Sequence, residues 1–233
     1  MRYFKFFIIT ICLCLLFQTG FGYSFCYATE NDNLADTPPS VGYTIVVDPG
    51  HGGIDPGSIG YKTKVKESDL NLKLSLMLAE KLRAAGVRVI LTRTDDNSLA
   101  SGSTGKTFKK EDMKLRRNMI NKIRPNMVIS VHMNSYTNHT LRGAKVFYDK
   151  TSDISRQIAE NIQEQFSKNL EASNNVASVG DYYMLKCTDS PSIIAECGFL
   201  SNERDEQLLL DPAYQQKIVN CIFNGIIQFL NLS

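Results

Sequence analysis

Residues 44 to 53 read Thr-Ile-Val-Val-Asp-Pro-Gly-His-Gly-Gly. Thr44 to Val47 is a β-branched apolar run, too short for a helix and closed by turn residues, which predicts a buried strand. Asp48, Pro49 and Gly50 stop that strand, and Gly52 and Gly53 leave the backbone behind it loose. His51 therefore stands at the carboxyl end of a buried strand, the edge at which open α/β sheets bind ligands. An imidazole there, among glycines that allow close approach, is a candidate metal ligand or base. The competing reading is an ordinary histidine in a turn, and the rest of the chain has to decide between them.

Outward from this strand, strands and helices alternate. Residues 68 to 85 predict a helix with Leu70, Leu74, Met77 and Leu78 on one face, widened by Leu72, Leu76 and Ala79 and stopped by Gly86. Val87 to Leu91 predicts a second strand. Residues 95 to 110 are rich in Ser, Gly, Thr and Lys and read as a mobile loop. Met113 to Ile123 predicts a helix that ends before Pro125. Met127 to Val131 is a third apolar strand, with His132 directly after it, and Ala144 to Tyr148 is a fourth. Ile154, Ile158, Ile162 and Phe166 repeat every four residues and mark another helix. Tyr182 to Leu185 reads as a short strand, and Ser192 to Ala195 as a clearer one that ends in Glu196. Asp211-Pro212 opens a last helix, with Asp as cap and Pro in the first turn; Ile218, Ile222, Ile226 and Leu230 are its buried face. The expected fold class is α/β: a single domain with a mostly parallel, twisted sheet and helices on both faces.

The chain has 233 residues, 43% of them hydrophobic and 21% charged, which suits one globular domain with a sizeable core. Residues 1–29 stand apart. Arg2 and Lys5 are followed by an apolar run from Phe6 to Phe17 and by small residues around Cys26-Tyr27-Ala28, the layout of an export signal or a membrane anchor. Residues 30–42, with Pro38-Pro39, read as a linker, and 43–233 as the folded domain. The protein is thus expected to be exported, to the outer side of the cytoplasmic membrane, touching membrane only through its first segment. Without Arg2 and Lys5, the 26 Lys and Arg fall to 24, equal to the 24 Asp and Glu. A neutral domain has no electrostatic footprint for nucleic acid. Cys187, Cys197 and Cys221 remain after the first segment, an odd number without a C-x-x-C pair. They read as small buried hydrophobes, with Cys197 beside Glu196 the one to check for reactivity.

His51, His132 and Glu196 each follow a predicted strand, so a parallel sheet gathers them on one edge. Two histidines and one carboxylate, with a fourth position for water, form a catalytic zinc arrangement. The carboxylate is Asp48, Asp55, Glu67 or Glu196, and Glu67 opens the first helix beside the glycine loop. Glu196 can serve as the base on a zinc-bound water. The chemistry alone leaves the assignment of these two carboxylates open. No H-E-x-x-H helix is present.

Five stretches occur in a telling order: V-V-D-P-G-H-G-G at 46–53, E-S-D-L-N-L at 67–72, T-R-T-D-D at 92–96, I-S-V-H-M-N-S at 129–135 and I-I-A-E-C-G-F-L-S-N at 193–202. Together they resemble the zinc N-acetylmuramoyl-L-alanine amidases of the amidase-3 family, over about residues 43–231. The resemblance implies that His51, Glu67 and His132 bind Zn²⁺ and that Glu196 is the catalytic carboxylate. It implies a peptidoglycan substrate cut between N-acetylmuramic acid and L-alanine. The short domain without wall-binding repeats is most similar to the spore-cortex, germination-specific branch, which implies a role in cortex maturation. A metallopeptidase cutting within the stem peptide and a wall-binding domain without turnover are the other classes. With no wall-targeting module in view, an accessory protein is expected for placement or activation.

Three further positions follow. Asn134 is a candidate for substrate contact or for support of a ligand, against a plain turn asparagine. Arg116, rather than Arg117, has the spacing to Asn121 that the family implies; it reads as a substrate clamp or, with more weight, a surface charge. His139 reads as a surface loop residue.

Overall fold

The computed structural model describes residues 42–100, 105–174 and 176–230. The expected export segment and linker lie outside the described residues, Gly42 apart. The described chain builds six strands: β1 (Thr44–Pro49), β2 (Arg88–Leu91), β3 (Met127–Asn134), β4 (Lys145–Tyr148), β5 (Ser178–Val179) and β6 (Ser192–Phe199). Six α-helices accompany them: α1 (Glu67–Ala84), α2 (Phe108–Ile123), α3 (Asp153–Asn169), α4 (Tyr183–Lys186), α5 (Glu203–Leu210) and α6 (Pro212–Leu230). Among the described residues no helix is long and apolar enough to cross a membrane.

One sheet holds all six strands in the order β2-β1-β3-β6-β4-β5. β2, β1, β3 and β6 run parallel, while β4 is antiparallel to β6 and carries β5 parallel to itself. The single α/β domain is therefore as expected, with a mostly parallel sheet. Side chains alternate along each strand, so the sheet has two faces to cover. Ile45, Val47, Ile129, Val131, Ile193 and Ala195 lie on the larger core, packed with α1, α3 and α6. Val46 and Val128 lie on the other, smaller core with Ile120 of α2 and Met184 of α4. Burial on both sides is why the central strands are apolar without interruption.

Local signals act as their chemistry dictates. Asp211 Oδ1 accepts from Ala213 N at 3.0 Å and caps α6 just before Pro212. Ile218, Ile222, Ile226 and Leu230 are buried. Glu67 and Asp69 occupy the first turn of α1, where the helix dipole favours an anion. Ile154 is an exception to the predicted face of α3: in the first turn of the helix, it is 50% exposed. Leu76 of α1 is exposed as well.

Four expectations change. The expected loop over 95–110 ends earlier, since a 3₁₀ turn covers Gly105–Thr107 and α2 starts at Phe108, whose ring is buried; residues 101–104 lie outside the described residues. Tyr182 to Leu185 is not a strand. Leu185 N donates to Tyr182 O and Cys187 N to Tyr183 O, closing a turn of α4 that buries Met184 and Leu185 side by side. β5 is a strand of two residues that the sequence does not announce. Finally, His132 and Glu196 lie within β3 and β6 rather than after them, because pairing continues past both, with a register shift between His132 and Asn134.

Candidate metal centre and active site

The turn after β1 is held from below by buried charge. Asp48 accepts from Thr92 Oγ1 at 2.6 Å, Ser130 Oγ at 2.8 Å and Arg116 Nη1 at 2.6 Å. Burial by itself would raise the Asp48 carboxyl, but the Arg116 charge and the two hydroxyls outweigh it and hold the group below the usual carboxylate range. Arg116 continues to Asp112 Oδ2 (2.6 Å), Pro49 O (2.7 Å) and His51 O (2.6 Å). Arg93 donates to Pro49 O, Gly50 O and Ser68 O. Two arginines thus fix three successive carbonyls of the turn. They hold His51 at φ 61°, a left-handed conformation that costs an L-residue about 1 kcal/mol or more. Gly50 is a glycine because of space: an added Cβ would stand 2.2 to 2.7 Å from ring atoms of His132.

His51, Glu67 and His132 converge above this turn, with their candidate ligand atoms all within 4.8 Å of one another. His51 Nε2 lies 3.2 Å and His132 Nδ1 2.9 Å from the same Glu67 Oε1. His51 Nδ1 donates to Asp55 Oδ2 at 2.8 Å, which turns Nε2 inward. Glu67 Oε2 accepts from Ser58 N at 2.8 Å, and Oε1 also accepts from Met133 N at 3.2 Å and Asn71 Nδ2 at 3.3 Å. Burial opposes charge on His51, yet the Asp55 and Glu67 carboxylates raise its pKa to about 9. Glu67 is held far below its usual range; burial resists this, and the two histidines prevail. Both shifts favour positive charge beside the Glu67 carboxylate.

This set fits a metal ion. Two imidazole nitrogens and a carboxylate oxygen are donors that catalytic zinc takes. Tetrahedral ligands about 2.1 Å from an ion lie roughly 3.4 Å from one another, near the 3.2 and 2.9 Å that separate the two imidazoles from Glu67 Oε1. Asp55 behind His51 is the carboxylate that such a histidine uses to fix its tautomer.

Glu196 faces the same point from the next strand. It is the register partner of His132 across β3 and β6, so both side chains leave the sheet on one face. It is 8% exposed, and its Oε2 has no hydrogen-bond partner. Burial, helped by the Glu67 charge, raises its pKa to about 7 against the pull of the histidines. A carboxyl poised there can accept and return a proton near neutral pH. His51, Glu67, His132, Glu196 and Asn134 line one pocket of about 410 Å³, with Lys109 and Tyr182 at its walls.

A family model described as N-acetylmuramoyl-L-alanine amidase matches residues 45–228, most of the described domain. The chain belongs to that amidase family. The germination-specific N-acetylmuramoyl-L-alanine amidase of Bacillus subtilis is 34% identical over 194 residues, which is 82% of this chain and 81% of that protein. The CwlD amidase from Clostridioides difficile, solved in complex with the GerS lipoprotein, matches with a TM-score of 0.77 and 38% identity over 82% of this chain and 100% of that one. The catalytic domain of the CwlV amidase from Bacillus (Paenibacillus) polymyxa gives 0.71 and 25%, over 82% and 99%. As a member of the family the protein is a cell-wall amidase, a hydrolase of the link between N-acetylmuramic acid and L-alanine.

The remaining candidates of this amidase fall as follows. Asn134, at the end of β3, borders the pocket, and its backbone carbonyl accepts from Leu200 N. Arg116 is 1% exposed, so it is not a surface charge. Its Nε, Nη1 and Nη2 all point at Asp48, Asp112 and the turn, which makes it a positioning residue and corrects the expectation of a substrate clamp. Cys197 is 1% exposed and burial pushes its thiol up, so it packs as a hydrophobe and is not a nucleophile. His139 is on the surface, but not idle: its Nδ1 donates to Ser201 O at 2.6 Å. Sequence reasoning did not find Asp48, Arg93 and Asn71 as supports of the site. T-R-T at 92–94 and D-P at 48–49 are inside the telling motifs, and a charged pair inside otherwise apolar strand ends is the signal that points to them.

Proposed function

We propose that the amidase cuts the amide between the lactyl group of N-acetylmuramic acid and L-alanine with Zn²⁺ held by His51, Glu67 and His132 and with Glu196 as general base and acid. Zn²⁺ there would supply a Lewis acid that polarises the amide carbonyl and lowers the pKa of water. Glu196 takes the proton of the attacking water as its oxygen bonds to the carbonyl carbon. It then hands that proton to the nitrogen of L-alanine as the C–N bond breaks, and the peptide leaves as an amine. Asp55 keeps His51 in the tautomer that presents Nε2, and Asn134 holds substrate at the pocket edge. The observation that carries this reading is the buried, unpartnered Oε2 of Glu196 beside a His-Glu-His cluster.

Similarity to a germination-specific relative supports spore-cortex peptidoglycan as the substrate, in the maturation that leads to muramic lactam. A neighbour solved with a lipoprotein supports an accessory protein for placement or activation, in the exported space outside the membrane. Glu196→Gln is expected to lose roughly 10²- to 10⁴-fold in kcat on purified peptidoglycan and to keep one zinc per chain by elemental analysis. Wild-type turnover in that variant would remove Glu196 from the mechanism. Mass spectrometry of the products separates this reading from a metallopeptidase, which would leave L-alanine attached to muramic acid.

A further inference from the structure

A second groove, of about 470 Å³, opens beside the pocket, and Ser135 lines both. Its other walls include Ile59, Tyr61, Tyr136, Thr137 and His139. Ile59 is 46% exposed, Tyr61 48% and Tyr136 61%, a concentration of apolar surface that water covers poorly. The Tyr61 and His139 rings lie 4.7 Å apart, tilted by 48°. These walls are built, not draped. Tyr61 N donates to Leu200 O, Tyr136 N to Ser201 Oγ and Asn202 Nδ2 to His139 O. Both loops, the one after β1 and the one between β3 and β4, are thereby tied to the turn after β6, so the groove exists before any ligand arrives.

Its chemistry differs from that of the pocket next to it. Asp55, Glu67, Lys109 and Glu196 line the pocket, whereas no Asp, Glu, Lys or Arg lines the groove. Lys62 comes near only as a cation 5.3 Å from the Tyr61 ring centroid, and it pairs with Glu203 at 3.5 Å. The two halves of the substrate differ in the same way. The stem peptide brings carboxylates and amines. The glycan strand is neutral, with apolar C–H faces and rims of hydroxyl groups. Aromatic rings suit the first feature, and the hydroxyls of Ser135, Thr137 and the tyrosines suit the second. His139 Nδ1 donates to Ser201 O, which leaves Nε2 free for a sugar hydroxyl.

We infer that this groove is a saccharide subsite, which holds the sugar next along the glycan strand from the muramic residue whose amide is cut. The inference rests on the amidase activity and adds a direction to it: glycan lies toward Tyr136 and away from the charged pocket. The test uses the zinc-loaded chain and its Tyr61→Ala, Tyr136→Ala and double variants, each checked for an unchanged melting temperature. Each is assayed on polymeric peptidoglycan and on a muramoyl peptide with a single sugar. The ratio of kcat/KM on polymer to kcat/KM on the single-sugar substrate is expected to fall about tenfold in the double variant, about 1.4 kcal/mol, through KM. An unchanged ratio overturns the proposal. In a separate titration, a peptide-free tetrasaccharide of N-acetylglucosamine and N-acetylmuramic acid should shift the amide resonances of Tyr136, Thr137 and His139. Absence of those shifts at millimolar sugar overturns it too. If the wild type cut neither substrate, the proposed chemistry would be at fault, and the titration would still decide the groove.

Discussion

Asp48 receives two hydroxyls and one guanidinium in a buried place. Its folded pKa lies below the unfolded value near 3.9, so it contributes stability that is complete above about pH 4. That contribution is lost as pH falls through the folded pKa. Asp48→Asn is expected to cost about 3–5 kcal/mol at pH 7, because Arg116 keeps only Asp112 as a charged partner. The gap between wild type and variant should narrow on acidification. Urea unfolding at a series of pH values checks this, and parallel curves from neutral to acid would contradict it. His51, His132 and Glu196 could be singled out from sequence because apolar strands isolate them, whereas Glu67, at a helix start, is singled out as the ligand only by the motif that resembles the family's. The burial of Arg116 could not. It sits among Lys114, Arg117 and Asn118 on a charged helix, and what buries it is Asp48, 68 positions away.

α3 and α6 show what packing demands of a helix. A Cβ at Gly225 would lie 2.7 Å from Ile162 Cα, so the two backbones touch at that crossing. Alanine has the better helix propensity by about 1 kcal/mol, and the contact works against it. Gly225→Ala is expected to destabilise the amidase by about 1–3 kcal/mol, since two of the three close atoms of Ile162, Cα and N, are backbone and cannot swing aside. Thermal unfolding reads this directly, and a raised melting temperature would show that the crossing can relax. The faces of α1 and α6 are visible as four-residue repeats, because α1 packs along β1, β2 and β3 and α6 packs along α3 and α1, each burying one stripe over its length. α4 and β5 were not visible. Four and two residues carry no period, and only their neighbours decide between turn and strand.

At the scale of the molecule, the parallel strand-helix alternation was legible, but the strand order and the reversal of β4 were not, since both depend on pairings far apart in sequence. The cluster joins the turn after β1, the start of α1 and the middle of β3, so a bound ion ties three segments together. Chelation of the proposed ion is expected to abolish turnover and lower the melting temperature, with both restored by zinc; at free zinc 100 times its Kd the linkage is about 2.7 kcal/mol. An unchanged melting temperature would mean that no ion binds the folded form selectively. One feature of the sheet bears on the life of the chain. β6 comes last in sequence among the strands, yet it is inserted between β3 and β4. A nascent chain that stops short of Ser192 has two bare edges in its middle and lacks Glu196, the carboxyl proposed to carry the proton. On the proposed mechanism such a fragment is inert toward the wall, so the last strand to be made is the one that arms the enzyme.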